Sequence, residues 1–323
     1  MGIADRTLSR PPAFPADEEA LVALVRALRG TGYGFTTVTP ATHARVNARP
    51  RNAEARSLRD VFGWSRPFRP GLLPDELVGL MDEAGALVRE GERLRAAIRL
   101  SSLDGEVFAH SAYPPSAADA VFFGPDTMRF VAAVLAHLEG RDRPVRRVAD
   151  IGCGSGAAGI ALAKRLPGAE TVLVDINPAA LRAARVNARL AGVEGVETRR
   201  SDLLRDVEGR FDLIVSNPPF MIDASGRAYR HGGGPLGAGL SLAIVEAAAA
   251  RLAPGGSLVL FTGAAIVEGA DPFREAAGTA CARAGLDWSY RESDPDAYGE
   301  ELDDPAYGEA ERIALVVLTA TRP

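Results

Sequence analysis

From about residue 116 onward, short apolar runs alternate with longer helical patterns. The apolar runs are "RRVADIG", "ETVLVD", "GVETRR", "FDLIVS", "GGSLVLF" and "RIALVVLTA". Stretches such as "AAGIALAKRL" and "AALRAARVNARLAG" lie between them and are typical of helices. Strands that alternate with helices predict a parallel sheet with helices on both faces. The sequence therefore predicts an α/β domain over residues 116–323.

Residues 1–115 predict a smaller N-terminal α+β domain. The segment "PADEEALVALVRALRG" is typical of a helix, with acidic residues in its first turn and glycine at its end. "SLRDVFGWSRPF" and "LPDELVGLMDEAGAL" predict two further short helices, and "THARVNARPRNAEARS" is expected to be a polar connection before them. Turn signals at Glu90-Gly91 and Asp104-Gly105 then separate strand-like runs. Helices followed by a hairpin resemble a winged helix, and residues 1 to about 15 are expected to be frayed.

Charge and composition limit the classes of partner. The 323 residues carry a formal net charge of -5, and residues 1–115 hold 15 arginines against 14 acidic residues. This balance argues against broad electrostatic binding to nucleic acid, so we interpret the N-terminal domain as a substrate or partner domain. Cys153 and Cys281 match no zinc or disulfide spacing. With no long apolar run and no secretory signal, we expect a cytoplasmic protein without a membrane span or a metal site.

A glycine-rich turn joins a predicted strand to a predicted helix in "VADIGCGSGAAGIALA". Gly152, Gly154 and Gly156 allow the backbone to turn sharply and to approach a ligand closely. Asp175 ends the next strand and suits the two hydroxyls of a ribose. A dinucleotide site would share these features, but it usually shows Gly-x-Gly-x-x-Gly. Asp150 just before the turn instead suits a ligand with an amino group and a positive charge.

The segment "SNPPF" follows the apolar run "FDLIV" and places an amide and an aromatic ring at a strand end. Two successive prolines stop a strand, and ligands bind at the carboxyl edge of such sheets. The side-chain oxygen of Asn217 and the carbonyl of Pro218 can each accept an N–H hydrogen bond. Phe220 offers a π face to a flat group. We interpret these residues as a clamp for a planar nitrogen, and the alternative is a strand-ending turn.

Taken in order, "ADIGCGSG", "DINPAAL", "SDLL" and "NPPF" resemble a class I S-adenosyl-L-methionine-dependent methyltransferase over residues 120–265. The resemblance is to the branch with Asn-Pro-Pro-aromatic, which includes N6-adenine, N2-guanine and glutamine N5 methyltransferases. It implies a Rossmann-like seven-stranded sheet and S-adenosyl-L-methionine as cofactor, with S-adenosyl-L-homocysteine as product. It implies that Asn217, Pro218 and Phe220 are catalytic residues.

The resemblance also implies a set of cofactor contacts. The glycine turn would contact the methionine part, Asp175 the ribose, and Asp202 with Leu203 the adenine. "FFGPDTMRFV" is similar to the segment of the glutamine methyltransferases that lies against the cofactor, although Gly124 and Met128 replace the expected Arg and Glu. That departure argues against release-factor glutamine as acceptor. The full implied set is Asp126, Thr127, Asp150, Gly152, Cys153, Gly154, Gly156, Asp175, Ile176, Asn177, Asp202, Leu203 and Asn217.

Two further segments are candidates for substrate contact. Tyr229 and His231 lie in a glycine-rich loop after the clamp, and residues 292–311 hold nine carboxylates and no cation. That acidic run is either a solvated hairpin or a lid that attracts a cationic substrate, with Glu300 and Asp303 as its candidate residues. We therefore expect N-methylation of a guanidino or amide nitrogen in an arginine-like small molecule or a protein side chain. The alternatives are an rRNA or DNA base, a non-enzymatic cofactor-binding module, and a nicotinamide dehydrogenase.

Overall fold

The computed structural model of the chain describes residues 14–115, 117–223 and 229–323. The tail that we expected to be frayed lies almost wholly outside the described residues. The first part of the chain contains α1 (Glu18–Gly30), α2 (Pro40–Asn47), α3 (Leu58–Phe62), α4 (Asp75–Glu83), β1 (Leu87–Glu90), β2 (Arg93–Ala96), β3 (Ile98–Leu103) and β4 (Glu106–Ser111). The second part contains α5 (Pro125–Glu139), β5 (Arg147–Ile151), α6 (Ala157–Arg165), β6 (Glu170–Asp175), α7 (Pro178–Ala191), β7 (Val196–Arg200), β8 (Phe211–Ser216), α8 (Gly239–Arg251), β9 (Leu252–Val267), α9 (Pro272–Arg283), β10 (Asp287–Asp294) and β11 (Ala310–Thr321).

The first part forms helices and two separate antiparallel hairpins, β1–β2 and β3–β4. The prediction that residues 42–57 form a polar connection is wrong for its first part, because α2 includes residues 42–47. Thr39 caps this helix by accepting from the N–H of Thr42, and Pro40 occupies its first turn. The apolar pattern of α2 is weak, because His43 is the one buried residue of this helix. The signals at its N-terminus therefore outweigh that pattern. The likeness to a winged helix stays a prediction.

The second part is built on one seven-stranded sheet with the order β10-β11-β9-β8-β5-β6-β7. Strands β5 to β9 pair in parallel, and β11 is antiparallel to both of its neighbours. This is a Rossmann-like α/β sheet, as predicted. The chain leaves β5 towards β6 on one side and returns to β8 on the other side. Such a change of direction opens a crevice at the carboxyl ends of the strands.

The two parts share one apolar core along helix α7. Its alanines and leucines pack against buried side chains of α1, α4 and the hairpins. At the edge of this interface Arg185 pairs with Glu18 at 2.6 Å, and Arg189 pairs with Glu19 at 2.6 Å. The packing therefore holds the N-terminal elements against the sheet domain. The division of the chain at residue 115 stays a prediction.

Asn187 lies in the middle of this interface with 1% of its surface exposed. Its Oδ1 accepts from the N–H of Ala109 at 2.8 Å. Its Nδ2 donates to the carbonyls of Ala109 at 3.0 Å and Ser155 at 2.9 Å. One amide thus joins β4, α7 and the turn that follows β5.

We predict that Asn187→Ala lowers the free energy of unfolding by about 1 to 3 kcal/mol, because it leaves buried backbone groups without partners. Urea unfolding followed by circular dichroism measures this change. The control is Thr279→Ala, which removes one exposed hydrogen bond to the carbonyl of Glu275 and is expected to stay within about 0.5 kcal/mol of the wild type. Equal effects of the two changes would contradict a structural role for Asn187.

Candidate active site

A cavity of about 170 Å³ lies at the carboxyl edge of the sheet, where the strand order changes direction. Four turns line it, each directly after a parallel strand, together with Thr127 of α5 and Tyr229. The turns contribute 152–155 after β5, 175–177 after β6, 201–203 after β7 and 217–219 after β8. Sequence elements that lie far apart in the chain therefore meet at one crevice.

The glycine turn after β5 has three left-handed residues. Gly152, Gly154 and Gly156 have φ values of +67°, +53° and +79°, which favour glycine. The N–H groups of Gly152 and Cys153 donate to the carbonyl of Val174 at 2.8 and 3.0 Å, so the turn is tied to β6. Gly156 lies behind the turn and outside the cavity lining. A Cβ there would lie 3.2 Å from the Cβ of Ala184 on α7.

Asp175 lines the cavity at the end of β6. Its Oδ2 accepts from the N–H of Gly154 at 3.0 Å, and its Oδ1 accepts from the N–H of Asn177 at 2.9 Å. Burial raises the pKa of this carboxyl, and the backbone N–H groups oppose the rise. Burial also raises the pKa of the Cys153 thiol well above its usual range, so that thiol is neutral. The two side chains thus present one hydrogen-bonded carboxyl and one neutral sulfur.

The side chains that follow β6 and β7 differ in their exposure. Ile176 is 56% exposed and gives the cavity rim an apolar surface. Asn177 caps α7 by accepting from the N–H of Ala179 at 2.9 Å, and its Nδ2 donates to the carbonyl of Asp119. Asp202 is exposed and pairs with Arg205 at 2.5 Å. Leu203 lines the cavity at a φ of +54°.

The structure does not bring Asp150 to the cavity, contrary to the expectation that it faces the ligand. Its carboxyl is buried behind the glycine turn, and its Oδ2 accepts from the N–H of Gly159 at 3.0 Å. This contact fixes the first turn of α6 to the end of β5. Burial raises the pKa of Asp150 to about 7.

Asp126 is also directed away from the cavity, whereas the neighbouring Thr127 lines it. The Asp126 carboxylate accepts from the hydroxyl of Tyr298 and from Arg129 at 3.2 Å. Burial raises its pKa to about 6. The hydroxyl of Thr127 accepts from the N–H of Gly124 at 3.2 Å and caps α5. The segment that we expected to contact the cofactor therefore presents one of its two polar side chains to the cavity.

Asn217 follows β8 and lines the cavity with Pro218 and Pro219. The side-chain oxygen of Asn217 is buried and accepts no hydrogen bond from the described part of the chain. A buried acceptor of this kind costs free energy unless a donor reaches it. The end of β8 is itself fixed, because the hydroxyl of Ser216 donates to the carbonyl of Ile151 at 2.7 Å. The unpartnered oxygen therefore has a defined position beside the glycine turn.

Phe220 does not line the cavity, so the predicted stacking of its ring on the ligand lacks support from this geometry. Its ring packs on Gly263, where a Cβ would lie 2.4 Å from a ring carbon. It also meets Tyr298 edge to face at 5.8 Å. Tyr229 lines the cavity instead, and its ring stacks on Phe122 at 6.1 Å with 5° between the planes.

Phe122 was not among the predicted residues. The pair of aromatic residues in "FFGPDT" was the available signal, since that segment was already placed against the cofactor. His231 is exposed and outside the lining, and its Nδ1 accepts from the N–H of Asp223 at 3.2 Å. Of the two loop candidates, Tyr229 alone reaches the cavity.

The acidic run 292–311 is neither a free hairpin nor part of the cavity wall. It contains the end of β10 and two short 3₁₀ helices, Gly299–Asp303 and Pro305–Tyr307. Buried Tyr307 accepts from the N–H of Ile222 at 2.9 Å, and Glu301 forms an ion pair with Arg230. The run is therefore held against the loop after the clamp.

The two acidic residues that we named as substrate candidates, Glu300 and Asp303, are exposed and outside the cavity lining. Among the described residues, no group of three or more His, Cys, Asp and Glu side chains has an arrangement that could hold a metal ion. Over the same described ranges, no helix is long and apolar enough to cross a membrane.

The buried Asp150 predicts a pH dependence of stability. A carboxyl whose pKa is higher in the folded chain than in the unfolded chain lowers stability as pH rises between the two values. Here that window runs from about pH 4 to about pH 7. We predict that Asp150→Asn, which keeps an acceptor for Gly159, gains more than about 1.4 kcal/mol of unfolding free energy relative to wild type across this window.

Chemical unfolding of both proteins at pH 4, 6 and 8 measures this difference. The control is the exposed Asp82, whose pKa is lowered by its hydrogen bond with Arg89, so Asp82→Asn is expected to show no such gain. A difference between Asp150→Asn and wild type that stays constant from pH 4 to pH 8 would contradict the assigned burial.

Comparison with known proteins places the sheet domain in a family. Residues 126–266 match the methyltransferase small domain. A release factor glutamine methyltransferase from Deinococcus radiodurans is 36% identical over 179 residues, which cover 52% of this chain and 63% of that protein. A ribosomal RNA small subunit methyltransferase C from Haemophilus influenzae is 44% identical over 84 residues, which cover 26% of this chain and 25% of that protein.

Among solved structures, a 16S rRNA N2 G1207 methyltransferase from T. thermophilus aligns with a TM-score of 0.46 and 19% identity. The alignment covers 80% of this chain and 64% of that chain. The chain thus spans less than two thirds of the length of each of these three proteins. Residues 126–266 thus match a methyltransferase domain, and the strand order and the motifs of the crevice agree with that match and with S-adenosyl-L-methionine as the cofactor.

Proposed function

We propose that this chain is an S-adenosyl-L-methionine-dependent N-methyltransferase that acts on a planar nitrogen. The observation that carries the proposal is the buried side-chain oxygen of Asn217 in the wall of the crevice, which has no hydrogen-bond donor among the described residues. An N–H group of an acceptor supplies the donor that this oxygen lacks. Neither a strand-ending turn nor a structural asparagine accounts for an acceptor left without a donor in a fixed position.

The residues of the crevice fit the cofactor. A Cβ added at Gly152 would meet no atom within 4 Å, so the backbone there is open to a closely approaching ligand. We assign the glycine turn to the methionine end and Asp175 to the ribose hydroxyls. The exposed apolar side chain of Ile176 and the side chain of Leu203 suit the flat adenine. When bound, the cofactor supplies a methyl group on a positively charged sulfur.

Asn217 and Pro218 are assigned to the orientation of the acceptor nitrogen. The lone pair of a planar amide, guanidine or aminopurine nitrogen is delocalised, so it is a weak nucleophile. Hydrogen bonds from its N–H groups to the Asn217 oxygen and the Pro218 carbonyl turn the lone pair towards the methyl group. They also stabilise the positive charge that builds on the nitrogen during the attack. The rigid Pro-Pro segment keeps both acceptors in place.

The aromatic contact to the acceptor is assigned to Tyr229 rather than Phe220. Tyr229 lines the crevice, is stacked on Phe122, and donates its hydroxyl hydrogen to the carbonyl of Pro115 at 2.5 Å. These contacts keep a π face beside the clamp. Phe220 then acts through packing, since its ring rests on Gly263 and Tyr298.

We favour a guanidino or amide nitrogen of a small, arginine-like molecule or of a protein side chain. The chain has a net charge of -5, and the acidic run 292–311 is folded against the loop that follows the clamp. A surface of this sign attracts a cationic acceptor and repels a phosphate backbone. The alternative is an rRNA or DNA base, which has the same kind of planar nitrogen. Residues 1–115 are proposed as the substrate or partner domain and 116–323 as the catalytic domain.

Methyl transfer from radiolabelled S-adenosyl-L-methionine tests the acceptor class. The panel is free L-arginine, free L-glutamine, basic and glutamine-containing peptides, and rRNA, with mass spectrometry of any product. Label on a side-chain nitrogen of an amino acid or peptide supports the favoured acceptor. Label on rRNA alone, with steeply salt-dependent binding, supports the alternative. No transfer of label to any nitrogen acceptor would contradict the proposal.

Asn217→Ala is predicted to keep the fold and cofactor affinity while it loses turnover. Loss of one preorganised electrostatic contact commonly lowers a rate by about 100- to 1000-fold. Single-turnover methyl transfer with saturating cofactor measures the rate, and calorimetry measures cofactor affinity. Phe220→Ala is the comparison, because a change in packing is expected to lower thermal stability as well as rate. A near wild-type rate for Asn217→Ala would show that the clamp assignment is wrong.

Asp175→Ala is predicted to weaken cofactor binding by roughly 10- to 150-fold, since a hydrogen bond to a charged group contributes about 1.5 to 3 kcal/mol. Isothermal calorimetry with S-adenosyl-L-homocysteine measures the affinity. Asp206→Ala is the matched control, because Asp206 is exposed and lies outside the cavity lining. If a folded Asp175→Ala protein binds as tightly as the control, the ribose assignment fails.

A further inference from the structure

A second, smaller cavity of about 30 Å³ lies where the N-terminal elements meet the segment before α5. It is large enough for a carboxylate group or one water molecule. Among the described residues that line it, none is acidic and Arg99 is the only cation. The described lining is Val38, Pro40, Arg99, His110, Ser111, Ala112, Tyr113, Pro115, Val121, Phe122, Phe123, Gly124 and Pro125.

Arg99 is 5% exposed, yet its guanidinium has no carboxylate partner in the described part of the chain. Its Nε donates to the carbonyl of Gly63 at 2.7 Å, and its Nη2 is buried without a hydrogen-bond partner. The guanidinium lies over the ring of Phe35, with Cζ 5.1 Å from the centroid. Burial lowers the pKa of Arg99 to about 10, so the group stays charged at neutral pH.

A second arginine of the same fold shows the usual arrangement. Arg66 is also 5% exposed, and it forms an ion pair with Asp60 and donates to the side-chain oxygen of Asn47 at 2.9 Å. A buried charge is costly unless it is paired. The chain supplies a partner for Arg66, whereas the described residues supply none for Arg99. The described residues thus leave the Arg99 guanidinium without a counter-charge.

The other polar groups of the lining do not provide that anion. His110 is buried between Ser101 Oγ at 2.8 Å and the carbonyl of Ser111 at 3.1 Å, and burial holds its pKa well below its usual value. Its ring is therefore neutral. The hydroxyl of Tyr113 donates to the carbonyl of Pro40 at 3.2 Å. The charge that faces this cavity is thus a single positive one.

One aromatic residue separates this cavity from the crevice of the methyltransferase domain. Val121 and Phe122 line both cavities, and the Phe122 ring stacks on Tyr229 beside the clamp. The two cavities are therefore neighbours on either side of this ring. The N-terminal elements thereby contribute a charged group close to the assigned acceptor site.

We propose that Arg99 binds the carboxylate of the methyl acceptor, which is then a small molecule with a carboxylate at one end and a planar nitrogen at the other. This inference rests on the proposed function for the nitrogen end of the molecule. The carboxylate accepts from the guanidinium of Arg99, which lines the cavity, and guanidinium groups commonly bind carboxylates in this way. The pairing also neutralises a charge that the described residues leave without a counter-charge.

Formate and formamide test the anion site without methyl transfer, because they have nearly the same shape and differ in charge. We expect 100 mM sodium formate to raise the Tm of the wild-type protein by about 1 to 3 °C above equimolar sodium chloride, since a ligand that binds the folded state stabilises it. Formamide with sodium chloride is expected to give no rise. A formate effect equal to that of chloride or formamide would overturn the proposal.

Three variants locate the effect. Arg99→Met removes the guanidinium, and Ala112→Leu fills the cavity while it keeps Arg99. Both are expected to abolish the formate effect. Arg59→Met is the matched control, because the exposed Arg59 guanidinium lies over the same Phe35 ring at 5.7 Å but outside the cavity. It is expected to keep the full effect. If the Arg99→Met variant does not fold, the Ala112→Leu variant provides the test. A formate effect that persists in the Ala112→Leu variant would overturn the assignment of the anion to this cavity.

Calorimetry then links the site to the acceptor. The protein saturated with S-adenosyl-L-homocysteine is titrated with L-arginine and with L-argininamide, which lacks the carboxylate. We expect L-arginine to bind at least tenfold more tightly, and Ala112→Leu to remove the difference. Equal binding of the two by the wild type would overturn the acceptor assignment. Discrimination by binding without any methyl transfer would contradict the proposed function and leave the carboxylate site standing.

Discussion

The geometry of the crevice depends on how β8 ends beside β5. Ser216 and Ile151 are paired in the parallel register, and the Ser216 hydroxyl donates to the Ile151 carbonyl at 2.7 Å. Pro218 and Pro219 follow at once and cannot continue the ladder. The chain must therefore leave the sheet at the level of the glycine turn. This constraint places the Asn217 oxygen next to the assigned cofactor site, although that oxygen accepts no hydrogen bond from the described residues.

The sheet, the glycine turn and the location of Asn217 were predictable because each is encoded locally. Alternating strands and helices determine a parallel sheet, and parallel strands bring their carboxyl ends to one edge. The turn requires a left-handed backbone at Gly152 and Gly154, a conformation that few other residues adopt. Asp175 ends its strand at the same edge. None of these conclusions needs knowledge of a distant side chain.

The side chains that lie away from the cavity are held by partners that the local sequence pattern does not identify. Asp150 and Asp126 are acidic residues near the crevice in sequence, but Gly159 and Tyr298 hold their carboxyl groups away from it. The direction of Phe220 depends on the space left by Gly263, more than 40 residues later. Strand β10 escaped prediction because it lies at the sheet edge, where most of its residues are exposed and no apolar run is required. The pairing of Arg99 with a ligand was likewise invisible, since its lack of a partner is a property of the folded chain.

The central claim is that Asn217 acts as a hydrogen-bond acceptor, and exchange of its amide for a carboxyl group tests this most directly. Asn217→Asp keeps an oxygen acceptor at the same position, replaces the NH₂ group with a second oxygen and adds an ionisable carboxyl group. The rate of single-turnover methyl transfer with saturating cofactor is measured for Asn217→Asp and for Asn217→Ala, which has no side-chain acceptor. The account predicts that Asn217→Asp is at least tenfold faster than Asn217→Ala. Equal rates for the two variants would contradict the claim that an oxygen acceptor at this position orients the nitrogen.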